Sequence, residues 1–288
     1  PEKFSLGLLT TSGSLGLLFP PSIPLIVYAI VAEVPVDDLF LAGIAPGLVM
    51  VFCLGVYSVY VGRGLPPPPA PELNAFQALK EGALELALPV VVIIGIYSGF
   101  IAVSEAAALS VLYVLCVEML VHREIKPRHL PGIVRDTMIL VGGIFVIIAA
   151  ATAYTSYLVD AQIPAQLLEW IRGSIDSKLL FLILLNLFLL AVGCMIDMFS
   201  ALVVVVPLIL PIAEAYGVHP VHLGIIFLAN LEIGYSTPPV GLNLFIASAR
   251  LKRPILDLYR ASLPFLLILL GVLLVITYFP QLSLFTLD

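Results

Sequence analysis

The stretch Gly234-Tyr235-Ser236-Thr237-Pro238-Pro239-Val240-Gly241-Leu242-Asn243 puts helix breakers and polar groups in the middle of an apolar run. Pro238 and Pro239 lack the N–H that a helix needs, and their rings clash with the preceding turn. The stretch therefore predicts one half-helix over 221–234, a second over 240–249 and unwound backbone between them. In lipid, unpaired backbone N–H and C=O groups are expensive, so irregular backbone at membrane depth survives only where it lines a protein cavity or meets a ligand. A broken membrane helix is the sequence pointer to a transporter's binding site.

The same device occurs earlier in the chain. Gly16-Leu17-Leu18-Phe19-Pro20-Pro21-Ser22-Ile23-Pro24-Leu25 shares the Gly-x-x-x-Pro-Pro frame, and the match runs on in both directions. Leu6-Gly7 answers Leu223-Gly224, Pro35 to Ala42 answers Pro254 to Ala261, and Pro46 answers Pro264. Repetition of this length implies two half-sites built from one unit. The flanks give the copies opposite orientations. Glu33, Asp37 and Asp38 follow the first break with no Lys or Arg, whereas Arg250, Lys252, Arg253 and Arg260 follow the second. Short cytoplasmic loops collect Lys and Arg, so the first copy is expected to run outward and the second inward, as inverted repeats.

Composition excludes a soluble domain. Of 288 residues, 61% are apolar and 11% charged, and the mean hydropathy is +1.15. The chain reads as an all-α integral membrane protein, with no nucleic-acid partner implied by its net charge of −6. Cys53, Cys116 and Cys194 lie in apolar runs without metal or redox spacing and read as small buried side chains. The chain opens at Pro1, inside the first repeat, so an N-terminally incomplete sequence is expected.

In chain order, residues 1–63 hold the first broken helix, over 4–18 and 24–32, and a span over 39–62 that ends at Arg63 on the cytoplasmic side. Residues 64–85 carry a Pro-rich linker, Gly64 to Pro71, and enter an interfacial arm in which Leu73, Phe76, Leu79, Leu84 and Leu88 alternate with Lys80, Glu81 and Glu85. Residues 86–288 form the second repeat. A pair of scaffold helices, 86–104 and 106–121, bends at Gly99 and Glu105 and delivers His122-Arg123-Glu124-Ile125-Lys126-Pro127-Arg128-His129 to the cytoplasm. A span over 139–159 follows, then an amphipathic outer helix over 163–171 with Trp170 at the interface. Residues 179–214 read as a re-entrant hairpin with the polar tip Asp197-Met198-Phe199-Ser200. The broken helix occupies 219–249, and the last span 256–286.

Several residues are candidates for chemistry. Asp197 is the sole acid between Asp176 and Glu214, and an ionised carboxylate in such a run costs at least about 3 kcal/mol without a partner or cation. It reads as a cation ligand, as the residue that orients the tip, or simply as a helix-end carboxylate reached by water. Glu232, near Asn230 and just before the break, reads either as an ion site or as an anchor that accepts backbone N–H groups. The hydroxyls of Ser236 and Thr237 and the unwound carbonyls of 233–237 offer hard oxygens suited to Na⁺ and a small anion. The first copy supplies Thr10, Thr11, Ser12, Ser14 and Ser22. A single hydroxyl in a membrane helix usually bonds back to the i−4 carbonyl, so the weight lies on the clustering at two matched breaks. Glu105 reads as a helix N-terminal carboxylate. The four histidines, His122, His129, His219 and His222, sit near predicted helix ends without a metal-binding spacing. No Gly-x-x-x-x-Gly-Lys-Ser/Thr occurs, so an ion gradient is the expected energy source unless another subunit hydrolyses ATP.

Gly13 to Leu25, Ser104-Glu105-Ala106-Ala107-Ala108 and Thr237-Pro238-Pro239-Val240-Gly241-Leu242-Asn243-Leu244-Phe245 together resemble the large membrane subunit, DctM-like, of tripartite ATP-independent periplasmic (TRAP) transporters. The resemblance covers essentially the whole chain, with its motifs in the family's order. It implies an elevator-type secondary transporter of the bacterial inner membrane that takes up organic acids with Na⁺, together with a periplasmic substrate-binding protein and a small membrane subunit, separate or fused. It also implies Na⁺ sites where hairpin tips meet broken helices, here Gly16 and Pro20 in one half and Asp197, Ser200, Gly234 and Thr237 in the other. Substrate contacts would come from Ser22, Ser236, Thr237, Pro238, Pro239 and Asn243. Two departures stand out. The family's hairpin before the first break is missing from this sequence, and Ala102-Val103-Ser104-Glu105 stands where the family commonly has Thr-Pro-Thr-Glu. Two other functions compete with the TRAP reading. An ion-coupled anion transporter of this architecture would need no binding protein. A channel would need a continuous wet pore, which two inverted broken helices suit less well. An intramembrane enzyme built on Asp197 and Glu232 has no nucleophile or metal spacing behind it.

Overall fold

The computed structural model describes residues 2–13, 15–64, 77, 79–80, 82–173, 175–285 and 287, and every regular element among them is helical. Among the described residues, six helices are long and apolar enough to cross a membrane. A bent pair, Glu2–Leu18 with Ile23–Ala32, folded by 45° at its break, would make a seventh span. The chain forms two compact units, one of residues 1–60 with 146–288 and one of residues 61–145.

The first unit is built on the helix before the second break. Helix α1 (Glu2–Ser12), a 3₁₀ turn (Leu15–Leu18) and α2 (Ile23–Ala32) form the first broken helix, and α3 (Val36–Gly62) follows. Later in the chain come α8 (Lys178–Met195), α9 (Met198–Ala215), α10 (Pro220–Gly234), α11 (Leu242–Leu251), α12 (Ile255–Tyr278) and the short α13 (Gln281–Leu284). Helix α10 begins where its sequence dictates. Pro220 fills the first position, where no N–H is needed, and His219 caps the helix by accepting from Val221 N–H at Nδ1, 3.2 Å. Every residue from Val221 to Gly234 is buried, as befits a helix apolar all round. Helices α2, α8, α9, α12 and α13 and the 3₁₀ turn enclose it.

Between membrane helices the attraction comes from close packing, because lipid is as apolar as leucine, so small residues mark the crossings. A Cβ on Gly224 would lie 2.6 Å from the Tyr28 ring, and one on Gly234 would lie 2.7 Å from the Gly193 backbone. The 3₁₀ turn seats itself on α3 in the same way: a Cβ on Gly43 would lie 2.3 Å from the Leu18 carbonyl oxygen, and one on Gly47 2.8 Å from the Phe19 ring.

The second unit contains α4 (Ala83–Tyr97) and α5 (Val103–Cys116), which pack together. The expected bend is present, but α4 stops at Tyr97 rather than Ser104, because Gly99 takes a left-handed φ of +72°. Glu105 accepts from Ala102 N–H at 3.0 Å, which is the N-terminal role read from the sequence. A π-turn (Val117–Val121) and a 3₁₀ turn (Pro127–His129) lead to α6 (Leu130–Asp160). That helix starts nine residues before the expected Ile139, since Arg135 and Asp136 limit a span but do not end a helix. The amphipathic helix expected over 163–171 is α7 (Ile163–Arg172), with Trp170 exposed.

Of the linker and arm expected over 64–88, residues 65–76, 78 and 81 lie outside the described residues, and the rest of the arm from Ala83 on belongs to α4. Of the cysteines only Cys194 is buried; Cys53 is half-buried and Cys116 exposed, which corrects the buried reading for the latter two. The last span ends at Tyr278 rather than 286, and α13 turns back onto α10.

Candidate functional site

The second break runs from Tyr235 to Gly241, and α11 resumes at Leu242, two residues later than expected. Its backbone is unwound yet bonded. Ser236 N–H donates to the Ile233 carbonyl at 3.0 Å, Thr237 N–H to that of Gly234 at 2.9 Å, and Asn243 N–H to that of Tyr235 at 3.0 Å. The Thr237 hydroxyl donates to the Ile233 carbonyl at 2.7 Å, the i−4 pattern expected of a hydroxyl in lipid. That bond uses the hydroxyl's proton and leaves its oxygen lone pairs for a cation. Asn243 Nδ2 reaches the Ser236 hydroxyl at 3.4 Å, so these two candidate residues lie together. Pro238 and Pro239 are exposed, and the Tyr259 hydroxyl holds the Pro239 carbonyl at 2.9 Å. Gly241 has φ +59°, and a Cβ there would lie 2.6 Å from Leu244 Cδ1, so only glycine fits.

The hairpin tip lies against this break. Asp197 caps α9, its Oδ1 accepting from Phe199 and Ser200 N–H groups, each at 3.1 Å. The polar tip is thus shorter than the four residues expected: Ile196 and Asp197 link the arms, and Ser200 lies in the first turn of α9. On the α8 side, Gly193 and Cys194 touch Gly234, and Gly241 N–H points at the Cys194 carbonyl at 3.4 Å. The Tyr235 hydroxyl meets the Met198 backbone beside the Asp197 carboxylate. Of the candidate cation residues, Asp197, Ser200, Gly234 and Thr237 therefore sit at two adjoining backbone ends, one capped by a carboxylate and one unwound.

Gly16 and Pro20 belong to the first break, and no hydrogen bond among the described residues joins positions 16–22 to positions 234–243. There Phe19 N–H donates to the Gly16 carbonyl at 3.2 Å and the buried Ser22 hydroxyl to that of Leu17 at 2.5 Å. Thr10 and Thr11 bond back to Leu6 and Gly7 at 2.7 and 2.8 Å. Pro20–Pro21 and Pro238–Pro239 are both cis peptide bonds.

The structure overturns one of the alternatives for Glu232. It anchors no backbone N–H, because neither carboxylate oxygen has a hydrogen-bond partner. Its neighbour Asn230 instead donates to Asn186 Oδ1 at 2.7 Å and to the Ile226 carbonyl at 2.8 Å, tying α10 to α8. Sequence reasoning missed Gly193, Cys194 and Tyr235. The first two carried a weak signal as small residues at the end of a hairpin arm.

Broken helices, a capped hairpin tip packed on one of them and six helices long and apolar enough to cross a membrane among the described residues define a polytopic membrane protein. A family model described as Tripartite ATP-independent periplasmic transporter, DctM component, matches residues 1–282, and the chain belongs to that family. It is 37% identical over 287 residues to the C4-dicarboxylate TRAP transporter large permease protein DctM of Pseudomonas aeruginosa, covering 99% of this chain and 67% of the relative. It is 35% identical over 286 residues to the sialic acid TRAP transporter large permease protein SiaM of Vibrio cholerae, covering 98% and 67%. Against the isethionate TRAP transporter permease protein DctMQ of Oleidesulfovibrio alaskensis it is 34% identical over 288 residues, covering 99% and 45%. The chain spans about two thirds of the length of the DctM and SiaM proteins and less than half of DctMQ. Like the family's large permeases it is a multi-pass protein of the bacterial inner membrane.

Proposed function

We propose that this chain is the large transmembrane subunit of a Na⁺-coupled TRAP-type secondary transporter, which imports organic acids by an elevator motion of inverted repeats. A periplasmic binding protein delivers the substrate, and a small membrane subunit completes the transporter; the name DctMQ of one relative fits such a subunit being fused in some members. C4-dicarboxylate, sialic acid and ectoine, named for the relatives, mark the range of small charged substrates from which this one's cargo comes.

The observation that carries the reading is the way the copies meet. Glu2 at the start of α1 pairs with Arg253 just after α11, so the entry of the first broken helix lies beside the exit of the second. At the other end the Tyr28 hydroxyl, in the second half of α2, donates to the carbonyl of Pro220 at the start of α10, 2.7 Å away. Antiparallel copies produce both contacts, and parallel copies would produce neither. That arrangement supports alternating access around the breaks. Each hairpin arm has 18 residues, about 27 Å at the helical rise, which is enough to cross a membrane. Both a re-entrant hairpin and a pair of full spans return the chain to the side it left, so Arg250 to Arg253 lie inside with either, and the re-entrant form is part of the proposal.

The test is uptake into proteoliposomes holding the complete transporter, with ligand-loaded binding protein outside and with or without a Na⁺ gradient. Uptake is expected only with both. Equal uptake from K⁺ and Na⁺ media would sink the coupling, and full uptake of free substrate would favour a transporter that works without a binding protein.

A further inference from the structure

Between the start of α8, the turn before α10 and the end of α12 lies a cavity of about 370 Å³, within the roughly 300–1,000 Å³ of small-ligand pockets. Its position fixes its surroundings. Helices α8 and α12 are both long and apolar enough to cross a membrane, so Lys178 at the start of one and Tyr278 at the end of the other mark a membrane–water boundary. The walls divide by chemistry. Leu182, Val218 and Leu284 make an apolar side, which the exposed Leu179 continues to the protein surface, and Lys178 and His219 make a polar one. His222 is buried with both ring nitrogens occupied, one by the Ser283 hydroxyl at 2.6 Å and one by the Thr277 carbonyl at 3.3 Å, and so ties the α13 wall to α10.

The polar side has donors to spare and, among the described residues, no acid in its lining. The Lys178 ammonium has three N–H groups and gives one to the Gly217 carbonyl at 2.6 Å. Among the described residues it pairs with no carboxylate, and Asp176 and Glu214, its acidic neighbours along the chain, are exposed. The His219 ring accepts from Val221 N–H at Nδ1, so the neutral ring carries its proton on Nε2, which has no partner among the described residues. Ser177 does not cap α8 with its side chain, so the first N–H groups of that helix add partial positive charge. An inorganic anion would satisfy these donors and leave the leucines facing water, whereas an acyl chain alone would cover the leucines and leave the donors unpaired. A phospholipid does both. We propose that the cavity binds a phospholipid of net negative charge, with its phosphodiester held by Lys178 and His219 and the start of an acyl chain lying on Leu179 and Leu182. A zwitterionic headgroup would bring its own cation against the Lys178 ammonium, so charge selects the anionic class. The bound lipid joins the hairpin arm α8 to α10 and α12, and its presence is therefore read as stability.

The experiment uses the complete transporter, stripped of lipid in detergent. Melting is followed while phosphatidylglycerol, phosphatidylcholine or inorganic phosphate is titrated, and native mass spectrometry counts the lipids retained. Phosphatidylglycerol is expected to raise the melting temperature and to stay bound, and the other two to do neither. Lys178→Met keeps the aliphatic stem and loses the ammonium, and is expected to weaken phosphatidylglycerol binding about fivefold, the contribution of one lysine at an anionic surface. His219→Asn keeps an oxygen that can cap α10 and loses the ring N–H, and is expected to weaken binding about threefold. Lys252→Met, outside the cavity, controls for non-specific attraction and is expected to bind as the parent does. Equal effects of the two lipids would overturn the headgroup selection, and stabilisation by phosphate would make the cavity a free-anion site instead. Parental affinity in both cavity variants, or an equal loss in Lys252→Met, would overturn the site itself. If Lys178→Met fails to fold because Gly217 loses its donor, His219→Asn decides alone: weakened binding supports the site and parental binding overturns it.

Discussion

The two breaks share a sequence frame and differ in what surrounds them. At the second, a Cβ on Gly234 would lie 2.7 Å from the Gly193 backbone, the Tyr235 hydroxyl reaches the capped start of α9, and Gly241 points at the Cys194 carbonyl. At the first, Gly16 is exposed and a Cβ there would meet nothing within 4 Å, although the turn after it seats tightly on Gly43 and Gly47 of α3. The Gly-x-x-x-Pro-Pro frame thus fixes an unwound backbone, and the element packed on it decides whether that backbone becomes an enclosed site. At the second break that element is the start of α9, which Asp197 caps.

The sharpest way to break the comparison is to ask whether the copies are inverted at all, because the expected outcome is all or none. In a chain whose three cysteines are replaced by serine, a cysteine at Asp37 is expected to react with an impermeant thiol reagent from the periplasm, and one at Lys252 only from the cytoplasm. Both positions are exposed and follow matched breaks. Labelling of both from one side would refute the inversion.

Next in size is the difference in packing. Gly234→Ala forces a methyl against backbone that cannot rotate away, and overpacking of this kind costs up to about 3 kcal/mol, so the variant is expected to melt well below the parent and to lose transport. Gly16→Ala adds a methyl to open space and is expected to stay within about 1 kcal/mol of the parent. Melting curves of the purified variants check both, and equal losses would mean that the first break is as enclosed as the second.

These contacts also mark how far the sequence could be read. The bounds of α10 were legible to within a residue, because Pro220 can only begin a helix and Pro238 and Pro239 can only follow one. The two breaks, the helix pair joined at Asp197 and the role of Glu105 were legible for similar local reasons. The end of α4 and the start of α6 were not. An apolar run says where a chain is comfortable in lipid, whereas Gly99 and the turn at Pro127 say where the backbone changes course. Gly193 was illegible because a small residue gains meaning only from the glycine opposite. Glu232 was ambiguous because its reach to backbone or to nothing depends on neighbours from other helices.

A smaller effect is expected at the tip. Asp197→Asn keeps a cap of nearly equal quality, so stability is expected to fall by no more than about 1 kcal/mol. It removes the charge that would offset a cation, so the Na⁺ concentration for half-maximal uptake is expected to rise about tenfold, a loss of about 1.4 kcal/mol. If the variant kept the parental Na⁺ dependence, Asp197 would be a helix cap and nothing more, and the two breaks would differ in enclosure but not in ion binding.

The smallest effect is at Thr237, and it distinguishes a ligand from a helix-bonded hydroxyl. Thr237→Val keeps the shape and deletes the bond to the Ile233 carbonyl, a type of bond that adds little to a helix, so melting is expected to change by less than about 0.5 kcal/mol. If the oxygen's lone pairs also face a cation, the variant loses one neutral ligand and keeps the carbonyls and Asp197, which is expected to weaken apparent Na⁺ affinity roughly threefold. Thr11→Val is the matched control before the first break, where the hydroxyl bonds Gly7 in the same i−4 manner. Na⁺ titrations of uptake by the two variants separate the cases. A shift in Thr237→Val alone would place the cation at the enclosed break, and equal shifts in both would show that each copy contributes hydroxyl oxygens. No shift in either would leave Thr237 a helix-bonded hydroxyl and remove it from the proposed cation site.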